Sequence, residues 1–557
     1  MSLHRITRSL LLLGAILLSV LVLNSPPSGA SLPFDGELRT FESGGRWRIV
    51  DQDNAFVFWE AANVRTDQFV GGQNPNTLSE AQVAAIGERL NSIRLAIRWQ
   101  DLEPADNTYD TTLLAEICTT LNHAFDNNLQ VILDPVHMGG SAANSAFLPG
   151  WVWSELLPGV SPSPANSFPI FQAALTDGST PFLDYLEYVM SEATCALPGG
   201  GTTTLGQHPA VVAVELINEP RPLETFVENG QTVTTGGARS DYSQALLMMV
   251  YNQAILEVRD HGRPDIPIVI GAYFGGHLHD NAASPSNQNW LRALTEGDFF
   301  AFAAAQGDGT NPPAQDLVVD IMPAHENLIW TAHSYFTGVS EDDTNSCLDS
   351  DLTCLPEREG LDYDGDTIAD ADGQRGVGGQ GGGLWAANFA SQGCYGFPQP
   401  DRDPVNDCPV PGPNRRAIAV DGFRANAWNH DRLAQDAGMP FFMGEWGIPS
   451  LTGPTGWGNA SEFVCDRLTA NRSVQAENQT DNLRISWAIW AFDARVDTGF
   501  GIYDGANDEW RAFSDPLTDV NCRGDIDGDG VPNGIDNCDY IANADQADDD
   551  GDRRGNG

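Results

Sequence analysis

Apolar and polar residues follow two rhythms along this chain. Short apolar runs of strand length alternate with stretches in which apolar residues recur every three or four positions. The strand-like runs are AFVFWEAANV (55–64), SIRLAIRW (92–99), LQVILDPVH (129–137), AVVAVELI (210–217), IPIVIGAY (266–273), NLIWTAHSYF (327–336), MPFFMGEW (439–446) and LRISWAIWAF (483–492). Helical periodicity marks 79–90, 111–128, 182–197, 242–262, 289–305, 420–438 and 463–478. Ser79 and Gln82 have the spacing of a capping box, and the 242–262 segment stops at a glycine.

Eight apolar strands separated by helices predict an α/β protein with parallel strands covered on both faces. That count is the count of a (β/α)8 TIM barrel. A doubly wound open sheet is the structural alternative, but no GxGxxG turn follows the first strand. One stretch, 338–417, breaks the rhythm. It is rich in Gly, Asp and Pro and carries Cys347, Cys354, Cys394 and Cys408, so it reads as a long disulfide-rich insertion after the sixth strand.

The two ends read differently from the middle. MSLHRITRS is basic, Leu10 to Leu23 is apolar, and NSPPSGA ends on small residues. This is the pattern of an export signal, with cleavage expected near Ala30 and a secreted, cell-surface or periplasmic location. The expected organisation is a signal peptide at 1–30, a barrel domain at 31–520 and an acidic tail at 521–557. In the tail Asp525, Asp527 and Asp529 take positions 1, 3 and 5 of a loop, with Asp536 at position 12. Alternate carboxylates around a glycine turn suit a hard cation. Asp548, Asp550 and Asp552 repeat the spacing, and Asp362, Asp364 and Asp366 start a similar ladder inside the insertion.

Composition narrows the chemistry. The 557 residues carry a formal charge of −47. Such a field disfavours nucleic acid and anionic lipid surfaces as partners. All 29 basic residues are arginine, which excludes a lysine Schiff base and a P-loop lysine. Nothing points to a nucleotide cofactor, and none is expected for catalysis. The nine cysteines suit an exported chain with disulfides, and an odd count leaves one thiol without an internal partner.

In a barrel, the carboxyl ends of the strands gather at one mouth. Read in order, those ends carry Arg94, His137, Asn218, Glu219, His333, Tyr335, Glu445, Trp446, Trp487 and Trp490. Two carboxylates across a cleft are what glycoside hydrolysis needs: one protonates the leaving oxygen, the other attacks or stabilises the anomeric centre. Trp487 reads as core rather than as a sugar subsite.

LINEP followed much later by FMGEWG resembles glycoside hydrolase family 5, the cellulase family. NSIRLAIRW, VILDPVH, TAHSYF and SWAIWAF are similar to its other strand motifs, in order. The resemblance implies Glu219 as general acid/base, Glu445 as nucleophile and Asn218 on the sugar 2-hydroxyl. It implies that Arg94 and Tyr335 steady Glu445, that His137 and His333 line the site, and that Trp490 stacks under the sugar. It also implies retention of configuration. One departure stands out: two residues separate Asp134 from His137 where the family has one. The tail resembles thrombospondin type 3 repeats, which implies structural calcium. The chain stops short of that family's closing cysteine, which makes Cys538 or Cys522 the candidate unpaired thiol. The expected substrate is a polysaccharide, oligosaccharide or glycolipid. The leading expectation is endo-cleavage of a β-glucan or related β-glycan. An endoglycoceramidase-like glycolipid hydrolase and a non-catalytic, calcium-stabilised glycan-binding surface protein are the alternatives.

Overall fold

The computed structural model describes residues 37–66, 78–138, 148–156, 181–220, 225–228, 231–234, 241–271, 294–296, 324–335, 430–447 except 432, 461, 464, 465, 467, 468, 485–493, 501–519 except 506, and 522. The expected signal, the insertion with Asp362, Asp364 and Asp366, and the seven tail aspartates lie outside the described residues.

Eight parallel strands close into a barrel. We number them β1 (Glu60–Arg65), β2 (Ser92–Ala96), β3 (Gln130–Asp134), β4 (Val211–Glu215), β5 (Ile268–Gly271), β6 (Leu328–Tyr335), β7 (Phe441–Gly447) and β8 (Ser486–Ile489). Each pairs with its neighbours in sequence, and β8 closes onto β1 with Trp487 opposite Glu60 and Ile489 opposite Ala62. The fold is a (β/α)8 TIM barrel, as the alternating pattern predicts. Among the described helices are α1 (Glu80–Arg89), α2 (Thr111–Asp126), α3 (Pro181–Glu187) and α4 (Asp241–His261). Ser79 and Gln82 form the expected capping box on α1, and Asp110 caps α2 by accepting from Thr112 N and Leu113 N. No helix among the described residues is long and apolar enough to cross a membrane.

The strand period of two sorts the side chains into two cores. Outward residues such as Ile93, Leu95, Val131, Leu133, Ile270, Met443 and Trp487 join the helices in one large cluster. Inward residues Ala61, Ile132, Ala213, Val269, Ile329, Phe442 and Ala488 fill the barrel centre. Trp59 closes the amino end beneath them. It is fully buried, its Nε1 donates to Gln130 Oε1 at 2.7 Å, and its ring meets Phe442 edge-on. The hairpin Arg39–Ser43 with Arg46–Val50 covers this end, tied by the Arg46–Asp431 ion pair at 2.6 Å. The bottom is therefore sealed, with Gln130 and Ser486 bonded to Trp59, and the inward ionisable residues among those described sit toward the carboxyl end.

Three local expectations change. The first strand starts at Glu60 rather than at residue 55, because Trp59 turns under the barrel as its plug. The helix expected over 182–197 is helical only through Glu187, continues as one wide turn over Tyr188–Glu192, and ends in a strand, Thr194–Ala196, paired antiparallel with Thr202–Thr204. There Cys195 is bonded to Cys118 of α2, which pins the hairpin to the barrel's outer layer. Cys522 is not the unpaired thiol, since it is bonded to Cys465.

Candidate active site

Above the apolar centre, the next inward positions are Asn63 on β1, Arg94 on β2, Asp134 on β3, Glu215 on β4, Thr331 and His333 on β6, and Glu445 on β7. Register brings Asn63 opposite Arg94 and His333 opposite Glu445. The same alternation that buries Ile132 thus carries a polar layer one step further along each strand.

Arg94 is the hub and is fully buried. Its Nε and Nη2 donate to the two oxygens of Glu215 at 2.6 and 2.7 Å. Nη1 donates to Asn63 Oδ1 at 2.7 Å and to Glu445 Oε1 at 2.8 Å. Nη2 also reaches Asn218 Oδ1 at 2.5 Å and lies 3.3 Å from Asp134 Oδ2. Burial alone would lower the Arg94 pKa, but Glu215, Asp134 and Glu445 together hold it well above the usual arginine value. One guanidinium faces three carboxyl groups, and Asp134 takes the consequence. Burial pushes its pKa up to about 7, with Arg94 pulling down and Glu445 adding to the rise.

Glu219 reaches the site by a backbone turn. Four residues past the end of β4, it adopts φ +43°, the left-handed region that a glutamate rarely occupies. Such a conformation costs roughly 1–3 kcal/mol and persists only where the surroundings hold it. Asn218 just before it makes a parallel bridge with His137, and its Nδ2 donates to Met138 O. The Glu219 carboxylate meets His333, whose Nδ1 lies 3.0 Å from Glu219 Oε1 and 3.5 Å from Glu445 Oε2. Burial opposes protonation of His333, but Glu445 and Glu219 outweigh it and raise its pKa. His333 Nδ1 therefore faces both glutamates.

Gly444 lets this happen. Its N–H donates to Thr331 Oγ1 at 3.1 Å, and its carbonyl accepts from Asn63 Nδ2 at 3.2 Å. A Cβ here would stand 2.5 Å from Thr331 Oγ1 and 3.1 Å from His333 Nε2.

The extra residue in DPVH is absorbed after the strand ends. His137 N donates to Ile97 O at 2.9 Å, and Nδ1 lies 2.8 Å from Asp134 Oδ2. Burial lowers the His137 pKa to about 3, against the pull of Glu445, so the ring is neutral and shares one proton with Asp134. Its face stacks on Trp490 at 5.4 Å, and the Arg65 guanidinium lies 5.3 Å from the same indole.

Glu219, Glu445, Arg94, His137, Asn218, His333 and Trp490 are thus brought to one mouth. Tyr335 ends β6 opposite Gly447, and its side chain lies outside the described residues. Trp487 packs in the outer core, edge-on to Trp446. Sequence reasoning passed over Glu215, Asn63 and the Asp134–His137 pairing. A signal existed for Glu215: an ionisable residue inside VVAVELI demands a buried partner.

One donor atom each from Glu219, His333 and Glu445 lie within 4.8 Å of one another, a spacing that a divalent ion would also fit. Arg94 already supplies a positive charge to Glu445 there. A second such cluster, Glu187, Glu257 and His261, sits on α3 and α4. Its carboxylates take opposite ring nitrogens at 3.3 and 3.2 Å, as a bridging imidazole does.

The site is a parallel barrel's carboxyl mouth with two buried glutamates facing each other. No family model matches the chain, and no curated protein matches it. Among solved structures, an endogalactoceramidase aligns over 86% of this chain and 84% of its own, with 16% identity and a TM-score of 0.44. Endo-glycoceramidase II from Rhodococcus sp. aligns over 84% and 80%, with 15% identity and a TM-score of 0.44. An endoglucanase aligns over 84% and 97%, with 14% identity and a TM-score of 0.39.

Proposed function

We propose that this chain hydrolyses O-glycosidic bonds of β-glycosides with retention of configuration. The observation that supports the reading is the opposition of Glu219 and Glu445, with oxygens within 4.8 Å of each other. Retaining enzymes place their carboxyl groups about 5–5.5 Å apart, whereas inverting enzymes leave room for a water. In the proposed reaction Glu219 protonates the leaving oxygen while Glu445 attacks the anomeric carbon. Glu219 then takes a proton from the water that releases the sugar from Glu445. Arg94 Nη1 donates to Glu445 Oε1 at 2.8 Å and orients it, Asn218 is set to meet the 2-hydroxyl, and Trp490 and His137 form an apolar wall beside the ring.

For the substrate, the proposal is endo-cleavage of a β-glucan or related β-glycan by an exported enzyme. The tail aspartates Asp525, Asp527, Asp529, Asp536, Asp548, Asp550 and Asp552 would bind structural calcium, so chelator should lower a tail transition and leave turnover intact.

The test is a panel of β-glucans, mannans, xylans, aryl β-glycosides and glycosphingolipids, with the anomer of the first product read by NMR. A β product from a β-linked substrate, lost in Glu219→Ala and Glu445→Ala, is expected. An α product overturns retention. Tight glycan binding without any product supports a lectin-like protein instead, and cleavage of glycosphingolipid alone moves the substrate to glycolipids.

A further inference from the structure

Glu215 carries a charge into the centre of the barrel with no part in the steps above. It is fully buried, ends β4 and precedes Glu219 by four residues. Its two oxygens hold the Nε and Nη2 edge of Arg94 at 2.6 and 2.7 Å, a side-on fork. The guanidinium is planar and rigid, so fixing that edge fixes the direction of Nη1. Nη1 is the Arg94 nitrogen that meets Glu445, at 2.8 Å.

We infer that Glu215 is a positioning residue for the glycosidase reaction: it aims Arg94 at Glu445 and limits the positive charge that Glu445 receives. The inference rests on the retaining reading of Glu219 and Glu445. Two arms of the geometry carry it. The first is orientation, because Glu215 takes two of the three guanidinium nitrogens and leaves Nη1 to Asn63 and Glu445. The second is charge, because a buried carboxylate at hydrogen-bond distance shares the cation that Glu445 also uses.

Several described groups also face this pair. Glu445 is faced by Arg94 from β2, by His333 from β6 and, through His333, by Glu219 beyond β4. Asp134 and His137 from β3 feel its charge. Glu215 is faced by Arg94, and its charge reaches Tyr251 of α4, whose hydroxyl donates to Gly271 O at 2.8 Å. Replacing Glu215 by Gln removes one negative charge and leaves Arg94 one acceptor where it had two. More of the Arg94 charge then faces Glu445, so the field at that carboxylate becomes more positive.

The experiment is kcat and KM against pH for the full chain, with melting curves, in wild type, Glu215→Gln and Glu215→Asp. For the Gln variant, the acid limb of kcat/KM should move down by about one pH unit. Its kcat should fall about 10- to 100-fold with KM little changed. The Asp variant keeps the charge on a shorter arm, so its kcat should fall while the acid limb stays in place. A Gln variant that folds and keeps the wild-type limb overturns the inference, even if its melting temperature drops. Should the Gln variant fail to fold, the Asp variant decides: lowered kcat with an unmoved limb supports the inference, and wild-type kcat overturns it. A wild-type chain that cleaves no glycoside overturns the glycosidase reading and this inference with it. A cleaving wild type with an unmoved limb in the Gln variant overturns the inference alone.

Discussion

Asp134 and His137 are joined across the mouth of the barrel by a 2.8 Å hydrogen bond between Oδ2 and Nδ1. The one extra residue between them does not separate them. The chain leaves β3 at Asp134 and returns His137 to the ladder beside Asn218. This pair sets the tautomer of a neutral imidazole that packs flat on Trp490. Arg94 Nη2 and His137 Nδ1 both meet Oδ2, so in Asp134→Asn either the amide oxygen keeps both contacts without the carboxylate's charge or the amide NH2 turns a donor toward Arg94. We expect kcat to fall about 100-fold, the scale set by misaligned groups near a reacting centre. Stability gives a second readout. The folded pKa of Asp134 is raised to about 7, above its unfolded value, so the native state holds a proton that the unfolded chain releases. Its stability contribution is full below pH ~4 and is lost as pH rises through ~7. Asparagine does not titrate, so the variant should gain stability relative to wild type between pH 4 and 7. Urea unfolding at several pH values measures this.

Gly444 tests how tightly the nucleophile strand is held. In Gly444→Ala the new methyl meets Thr331 Oγ1 at 2.5 Å and His333 Nε2 at 3.1 Å. Thr331 is on the paired strand, so either its side chain rotates, breaking the bond from Gly444 N, or β6 and β7 part. Overpacking of this kind costs about 1–3 kcal/mol. Displacement of Glu445 by even a fraction of an ångström should lower kcat well before the fold fails. Adding Thr331→Ala removes the nearest clash and should restore part of both losses. Kinetics and melting curves on the single and double variants check it.

His208 provides a pH switch in stability far from the catalytic mouth. It is fully buried, with Nε2 3.0 Å from Asn122 Oδ1 and Nδ1 accepting from Ala210 N at 3.2 Å. That pattern uses one donor and one acceptor, so only neutral imidazole fits. Burial accordingly lowers its pKa to about 4. The unfolded chain takes up a proton near pH 6.5 and the native chain does not, so stability falls as pH drops from ~6.5 to ~4. His208→Asn keeps the acceptor for Ala210 N and cannot titrate. Its stability should lose less than that of wild type over this window, as denaturant melts at pH 7, 5.5 and 4.5 would show.

The Cys118–Cys195 bond closes a loop with sequence separation 77 and ties α2 to the Thr194–Ala196 hairpin. Removing a native disulfide of this kind costs about 2–5 kcal/mol. We expect Cys118→Ala with Cys195→Ala to lower the melting temperature while kcat stays near wild type, because the hairpin lies outside the barrel. Loss of turnover at a temperature where the variant is folded would contradict this separation.

The eight strands were legible because their evidence is local. Period-two alternation and apolar runs mark each strand, and helical spacing marks what lies between. Glu219 and Glu445 were legible because each interrupts a core strand's end with a polar residue that the core cannot use. The Ser79–Gln82 box was legible because its hydrogen bonds span three residues. What the sequence did not disclose depends on residues far apart along the chain. Glu215 looks like one charge in an apolar run until Arg94, 121 residues earlier, takes both its oxygens. Asn63 is an unremarked position until it reaches both Arg94 and Gly444 O. Gly444 is one glycine among 57 until the distance to Thr331 shows that nothing larger fits. The end of the 182–197 helix was also hidden, since a bond to Cys118 decides it. The sequence by itself determined the order and type of the elements, because backbone propensity and side-chain period act over a few residues. Only the tertiary structure decided which carboxyl groups share Arg94, how far Glu219 stands from Glu445, and in which direction burial and neighbours move each histidine's pKa. Those are set by burial and by Coulomb interactions between strands, and neither has a period along the chain.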